Sequence, residues 1–573
     1  MSLRCALLAS LLLVTSPSFA IAQTAETPAE TAAKDQQAYE LLETIAAGIS
    51  SLRNVENRIY LGATVADLLW NKDEKRARAL FGTVTSEVVS EMSALDPTDE
   101  HQQQNYGMIY QRRREVVDRM ARRDPEMALA FLRATRPATE SSDQLKQNEA
   151  QLELHLAGLI AGKDPTQALR IARANLRKGI SYSLMHLIPQ IDAKDRAAAQ
   201  SLHSEIIERL KNEDLRRNYD LANSAWHLLS AYQPPQANEQ TYRGLLEFIA
   251  GFILSVSATD TASVNFAQNS YHQVNSAIPY FEKYAPGRVV PLKQWLRSVQ
   301  RTQDPTSQMN QELNEAVRKG TVDNILALAG KYPEHQTNIY QQAASKALSS
   351  GDPNRARQII SEMVTDPAQR RQMLEQLDNQ LTWNTISQNK IAEARAMLPR
   401  VKTVEQQVQL LMSMAITVAN KGDKQQALEL LAEARTMLDS APLDSGKMSA
   451  RLQLAQSYST LDSDQSVALM ESMIVHLNQL VAAAAVLDGF ESRYLKNGEW
   501  MRAGYTSLGN LINTFDQNLG QIARHNVAGA RQVSNQIERP ELRMMAQLEI
   551  AQSLLAGAGP ANRNAFRRFG RIR

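Results

Sequence analysis

The chain has 573 residues, of which 43% are hydrophobic and 22% charged, with 24 Gly, 20 Pro and a single Cys. That is ample apolar material for a helix-rich core, and a formal net charge of +2 gives no general case for nucleic acid binding. Cys5 stands at the extreme N-terminus, so removal of that end excludes disulfides, thiol catalysis and cysteine metal sites.

The N-terminal residues have the pattern of a secretory signal. Arg4 is the positive start, Cys5 to Val14 the apolar segment, and Ala20-Ile21-Ala22 the cleavage site before Gln23. The expectation is therefore a signal peptide over 1–22 and an exported protein, periplasmic or extracellular. No transmembrane helix is expected in the mature chain, where the longest apolar run is Leu245 to Val256, only 12 residues and interrupted by Glu247. Residues 23–34, rich in Ala, Thr, Glu and Pro, are expected to be a mobile leader, with helical patterning from about Asp35.

From Asp124 onward a short pattern recurs: a polar cap, then Ala four residues on. It reads Asp124-Pro125-Glu126-Met127-Ala128, Asp164 to Ala168, Asp352 to Ala356, Asp423 to Ala427 and Asp464 to Ala468. Looser copies are Lys390 to Arg395, preceded by Asn389, and Asn526 to Arg531. An Asp side chain accepts the free N–H groups that begin a helix, Pro at the first helical position loses nothing, and Gly422 suits the left-handed residue that ends the helix before. The Ala leaves a face small enough for a neighbouring helix to approach. The Ala positions step by 40, 38, 33 and 41, spacings of paired-helix repeats, while a step of 62 implies an insertion between Asn478 and Arg524.

Over about 124–180 and 340–556 this resembles the tetratricopeptide-like α-solenoids, although that family's Trp-Leu-Gly-Tyr pattern of the first helix is missing. The resemblance implies an all-α fold: a right-handed solenoid of stacked antiparallel helix pairs. Asp304-Pro305-Thr306-Ser307 is the expected boundary between an N-terminal half over 35–303 and a C-terminal half over 304–556. Gly557-Ala558-Gly559-Pro560 ends the last helix, leaving residues 557–573 as a basic tail.

Catalytic signatures are absent from the sequence. There is no H-E-x-x-H, no G-x-S-x-G, no Walker loop and no G-x-G-x-x-G, and no two of the nine His stand at helical ligand spacing. Gly179-Ile180-Ser181-Tyr182-Ser183 is read as a helix cap. No cofactor and no metal are expected. Between Tyr219 and Trp295 lie 12 of the 32 aromatics, a concentration that is either core or the lining of a groove. In the groove reading Tyr232, Tyr242, Tyr271, Tyr280 and Tyr284 meet a protein or peptide partner. Tyr494, Trp500, Tyr505 and Phe515 are a weaker candidate for the same role.

The function expected is an exported helical-repeat scaffold for a protein or peptide partner in the cell envelope. One alternative is a polysaccharide-acting enzyme on an α/α ring, with two carboxylates in a deep pocket. The soluble lytic transglycosylases also pair export with a large helical superstructure, but no stretch here resembles their lysozyme-like catalytic domain. A further alternative is a structural protein tethered to an anionic envelope surface by Arg563, Arg567, Arg568, Arg571 and Arg573.

Overall fold

A computed structural model describes residues 27–94, 103–137, 143–213, 215, 219–256, 264–301, 305–401, 403–440, 444–491, 494–501 and 506–556. The signal segment, Asp96-Pro97, Asp304, Tyr505 and the Arg tail lie outside the described residues. The rest is all-α and built of paired helices, with two two-residue strands among the described residues. It groups into two compact units, 46–364 and 365–573 together with 1–45.

In the first unit the helices are α2 Val55–Leu69, α3 Glu74–Ser93, α4 Gln103–Arg123, α5 Pro125–Ala134, α6 Asp143–Ile160, α7 Pro165–Lys178, α8 Tyr182–Asp192 and α9 Arg196–Lys211. They continue as α10 Tyr219–Ala231, α11 Glu239–Leu254, α12 Val264–Tyr284, α13 Val289–Arg301, α14 Pro305–Lys319, α15 Val322–Lys331, α16 Gln336–Ser349 and α17 Pro353–Met363. The second unit holds α1 Pro28–Gly48 as far as Ile45, then α18 Pro367–Ser387, α19 Ile391–Met397, α20 Val404–Ala419, α21 Lys424–Asp439 and α22 Ser445–Ser459. It ends with α23 Ser463–Glu491, strands β1 Leu495–Lys496 and β2 Glu499–Trp500, α24 Ser507–Ala523, α25 Val527–Asn535 and α26 Pro540–Ala556. Consecutive helices pair, as α2 with α3, α6 with α7 and α20 with α21. The first helix of a pair also packs on the first helix of the next, along α2, α4, α6 and α8 and again along α20, α22 and α24. That is the stacking by which each repeat covers the apolar flank of its neighbour.

The repeated caps are made as the residues predict. Asp124, Asp164, Asp352, Asp423 and Asn526 each accept a backbone N–H two or three residues on, at 2.8 to 3.1 Å. The Ala four residues after each cap, Ala128, Ala168, Ala356, Ala427 and Ala530, is fully buried. Before three of the repeated turns the chain takes a left-handed residue, Gly351, Asn389 and Gly422, at φ 86°, 60° and 94°. Two further copies follow the same rule. Asp73 caps α3 ahead of buried Ala77, and Asp195 caps α9 ahead of buried Ala199.

One copy is in a different register from the one expected. Asp462, not Asp464, caps α23 through the Gln465 N–H at 3.1 Å. The buried residue four on is Ser466, whose hydroxyl donates to the Ala455 carbonyl at 2.5 Å, while Ala468 is exposed. A bonded serine thus fits where the other repeats use Ala. The start of α1 also differs from expectation. Thr27 and Glu30 cap each other reciprocally around Pro28, so the helix begins inside the stretch read as a leader. Its Ala38, Leu41, Leu42 and Ile45 are buried, and Lys34 donates to the Arg524 carbonyl at 2.6 Å, tying α1 to the end of α24. The compact units divide near residue 364.

Two buried polar features shape the first unit. Arg113 forks onto Glu149 and donates Nε to Thr135 at 3.1 Å, joining α4 to α6 with both charged partners enclosed. Removing one partner strands the other charge, which costs about 3–5 kcal/mol, whereas replacing both by apolar groups is close to neutral. Glu149→Ala is accordingly expected to lower unfolding free energy in urea by about that amount. Arg113→Met/Glu149→Leu should recover most of it.

His203 stands eight residues after its cap, a core position that other repeats fill with Phe81, Ile360, Leu431 or Met470. Neither ring nitrogen has a hydrogen-bond partner, and its one neighbouring ring is Tyr232, edge-on at 5.2 Å. Burial pushes the imidazole down to about 4. The unfolded ring binds its proton near 6.5, so the stability from a neutral His203 is full above about pH 6.5 and is lost as pH falls towards 4. The loss amounts to roughly 3 kcal/mol. Unfolding free energy measured from pH 7 to pH 4 should flatten over that window in His203→Phe by about the same amount.

Candidate functional site

In the second unit α23 is 29 residues long while α25, its neighbour in the next repeat, is nine. The two run together through Asn526 to Asp464 at 3.0 Å, Gln532 to Glu471 at 2.7 Å and Asn478 to the Gln536 carbonyl at 3.0 Å. Beyond Asn478 α25 has ended, and the last three turns of α23 continue without it. This overrun, with the hairpin that follows, is the insertion implied by the step of 62.

The hairpin braces the overrun. Asp488 accepts the backbone N–H groups of Tyr494 and Leu495 at 2.5 and 3.0 Å. Asn497 and Gly498, at φ 54° and 77°, make the two-residue turn between β1 and β2, and the Tyr494 ring stacks on buried Trp500 at 5.5 Å. Glu541, at the start of α26, accepts the Trp500 N–H at 3.0 Å and is held by Arg539 at 2.6 Å. The Asp488 charge is therefore committed to structure. Its inner side is buried through Val481 and Ala484.

The outer side is apolar as well. Leu480, Val486, Leu487 and Phe490 are 42, 70, 59 and 88% exposed, with Ala482 and Ala483 between them. At 100° per residue these side chains cover about half the helix circumference, over roughly 16 Å. A helix apolar on every side belongs inside a protein or a bilayer. By length and composition Ser463–Phe490 suffices to cross a membrane, which corrects the expectation that the longest apolar segment is Leu245 to Val256. Isolated polar residues, His476, Asn478 and Gln479, break the uninterrupted run on which that expectation relied. The inner face is built into the repeat stack, so the segment is a packed helix with one bare side.

The tyrosines singled out from sequence lie elsewhere. Tyr232 is buried, donating its hydroxyl to Asp192 at 2.6 Å. Tyr242 is buried with its hydroxyl on the Leu229 carbonyl at 3.0 Å, and Tyr284 is buried edge-on against it at 5.3 Å. Tyr271 and Tyr280 are half-buried against the same core. Trp295 donates to the Val256 carbonyl at 2.9 Å from inside it. Tyr232, Tyr242, Phe281, Tyr284 and Trp295 are thus core, and the polar tips of Tyr232, Tyr242 and Trp295 are satisfied internally. Of the weaker set, Trp500 and Phe515 are also core. Arg563, Arg567, Arg568, Arg571 and Arg573 lie outside the described residues.

Among the described residues no group of three or more His, Cys, Asp or Glu could hold a metal. A cavity of about 220 Å³ between α5, α6 and α7 contains Glu149 and Glu153, the arrangement the polysaccharide alternative asks for. Both are already paired, Glu149 with Arg113 and Glu153 with Asn175 and Lys178 at 2.9 and 3.0 Å. Ser181 occupies the cap position of α8, but its hydroxyl makes no capping bond. Its neighbours Tyr182 and His186 meet His227 of α10 in a cluster of rings that spacing along the chain does not reveal.

No family model matches the chain, and no curated protein matches it. It is similar to a solved structure of Naa15/Naa10 bound to HypK-THB, at 13% identity over 94% of this chain and 99% of that one, with a TM-score of 0.26. It is also similar to a circular tandem repeat protein with novel repeat topology and enhanced subunit contact surfaces. That match has 14% identity, covers 92% of this chain and 99% of the other, and has a TM-score of 0.14. At such scores neither likeness bears on what this chain binds.

Proposed function

We propose that the chain is an exported helical-repeat scaffold that binds a protein partner in the cell envelope, and that the partner lays an amphipathic helix on the bare side of α23. The observation that carries this is the overrun of α23 past α25, apolar inside and out. The bare side is the outward face of α23, which stays exposed beside α25 at Ser472, Val475 and Gln479 and becomes continuously apolar beyond them. A helix from another protein packs on that apolar stretch.

Charge favours protein over lipid as the occupant. A peripheral helix on an anionic bilayer carries Lys and Arg on its polar side, whereas from Ser472 to Phe490 the charged residue is Asp488, already bound by the hairpin. The small Ala482 and Ala483 between Leu480, Val486 and Leu487 give the alternation of low and high that a second helix interlocks with. The envelope location is supported by the N-terminal pattern from Arg4 to Ala22. The Arg tail carries no part of this reading.

A photo-crosslinking side chain placed at Val486 or Phe490, in cells, should give a discrete adduct with one heterologous protein. The same probe at Glu429, on the exposed side of α21, should not. Val486→Glu/Phe490→Glu should abolish that adduct when the probe stands at Leu480, and leave the thermal unfolding midpoint within about 2 °C, because both side chains are exposed. Adducts with lipid alone, with a second copy alone, or with nothing would each overturn the reading.

A further inference from the structure

Three rings meet on the surface of the first unit where α8 packs on α10. Tyr182 and His186 stand one turn apart on α8, and His227 reaches them from α10. The ring centres are 4.4 Å apart for Tyr182 and His186, 4.3 Å for Tyr182 and His227, and 4.9 Å for the two histidines, all edge-on. The Tyr182 hydroxyl meets His227 Nε2. Tyr182 is 52% exposed and His186 is exposed, so the cluster opens to solvent.

A structural histidine normally has both nitrogens satisfied or its ring enclosed in the core. These do not fit that description. His227 Nδ1 is buried without a partner, and no hydrogen bond of the described residues uses a His186 nitrogen. The two imidazoles still bring His227 Nε2 and the His186 nitrogens to one surface spot, and a phenol adds an oxygen.

We infer that Tyr182, His186 and His227 form a binding site for one borderline first-row divalent ion of the Cu²⁺ or Zn²⁺ class. Two imidazole nitrogens each about 2.0–2.1 Å from a shared ion place their ring centres roughly 5 Å apart, which is the spacing already present. The donor set selects the class. Nitrogen ligands without a carboxylate suit copper, nickel and zinc, not calcium or magnesium, and copper binds most tightly in that series. The phenol, in contact with His227 Nε2, stands where an ion bound to that nitrogen meets it, and as a phenolate it completes three protein ligands. Water fills the remaining positions on the open side.

Tag-free full chain is titrated with copper sulfate and, separately, zinc chloride, with calorimetry and copper EPR as readouts. The expected result is one Cu²⁺ per chain with two nitrogen ligands in the EPR pattern. Affinity should fall by roughly tenfold or more in His186→Ala and in His227→Gln, at least the scale on which outer-sphere partners act. Tyr182→Phe should keep both nitrogens and lose a phenolate-to-copper absorption band. His186 is exposed, so its variant keeps the fold, which the metal-free unfolding midpoint verifies. An unchanged affinity and EPR pattern in His186→Ala/His227→Gln, or wild-type binding no tighter than that variant's, would overturn the assignment.

Discussion

Everything in this architecture depends on a close approach between helices at one small buried residue per repeat. The cap fixes where a helix starts, and four residues later its backbone must lie against a neighbour with nothing larger than a methyl or hydroxyl between them. Ala77, Ala128, Ala168, Ala199, Ala356, Ala427 and Ala530 all meet that demand with complete burial. Ser466 meets it by giving its hydroxyl to a carbonyl of α22. The position one turn further in tolerates Phe81, Ile360, Met470 and even His203, because there the side chain points into a space whose neighbours adjust to it. The rigid constraint is local and repeated; the variable one is local to each repeat.

This division explains what was legible in the chain. Caps, left-handed turns and the Ala four residues on are all set by neighbours within six residues, so Asp423, Gly422 and Ala427 could be read directly. Asp464 was misread for a related reason. It stands two residues from the true cap, Asp462, and only the burial of Ser466 distinguishes them. Thr27-Pro28-Ala29-Glu30 carried a complete capping box, and Leu495 to Trp500 carried an Asn-Gly hairpin turn. Both signals are local, but the polar, small-residue composition around them masks them.

The tyrosines fail differently. Composition places many aromatics between Tyr219 and Trp295, and nothing in the spacing says which side of the helix faces a neighbour. Tyr232 and Tyr242 lie near turns, yet their hydroxyls bond to Asp192 and to the Leu229 carbonyl inside the stack. The meeting of His186 with His227 is likewise a product of α8 packing on α10, and the bare side of α23 is set by which of its faces the neighbouring helices cover. Each depends on two elements at once, which no single stretch of sequence encodes.

In a repeat array the shared positions are consumed by packing, so what remains for recognition must sit where a repeat departs from its neighbours. The departures here are specific: a helix twenty residues longer than the one it should accompany, and a ring cluster after a cap residue whose hydroxyl does not cap. Exposing Leu480, Val486, Leu487 and Phe490 gains nothing for the isolated chain, since the same residues as Ala or Ser would keep α23 helical and leave the inner contacts of Val481 and Ala484 untouched. Their presence on a rigid helix, braced by a hairpin whose every polar end is tied down, is an arrangement whose free energy falls only when something covers it.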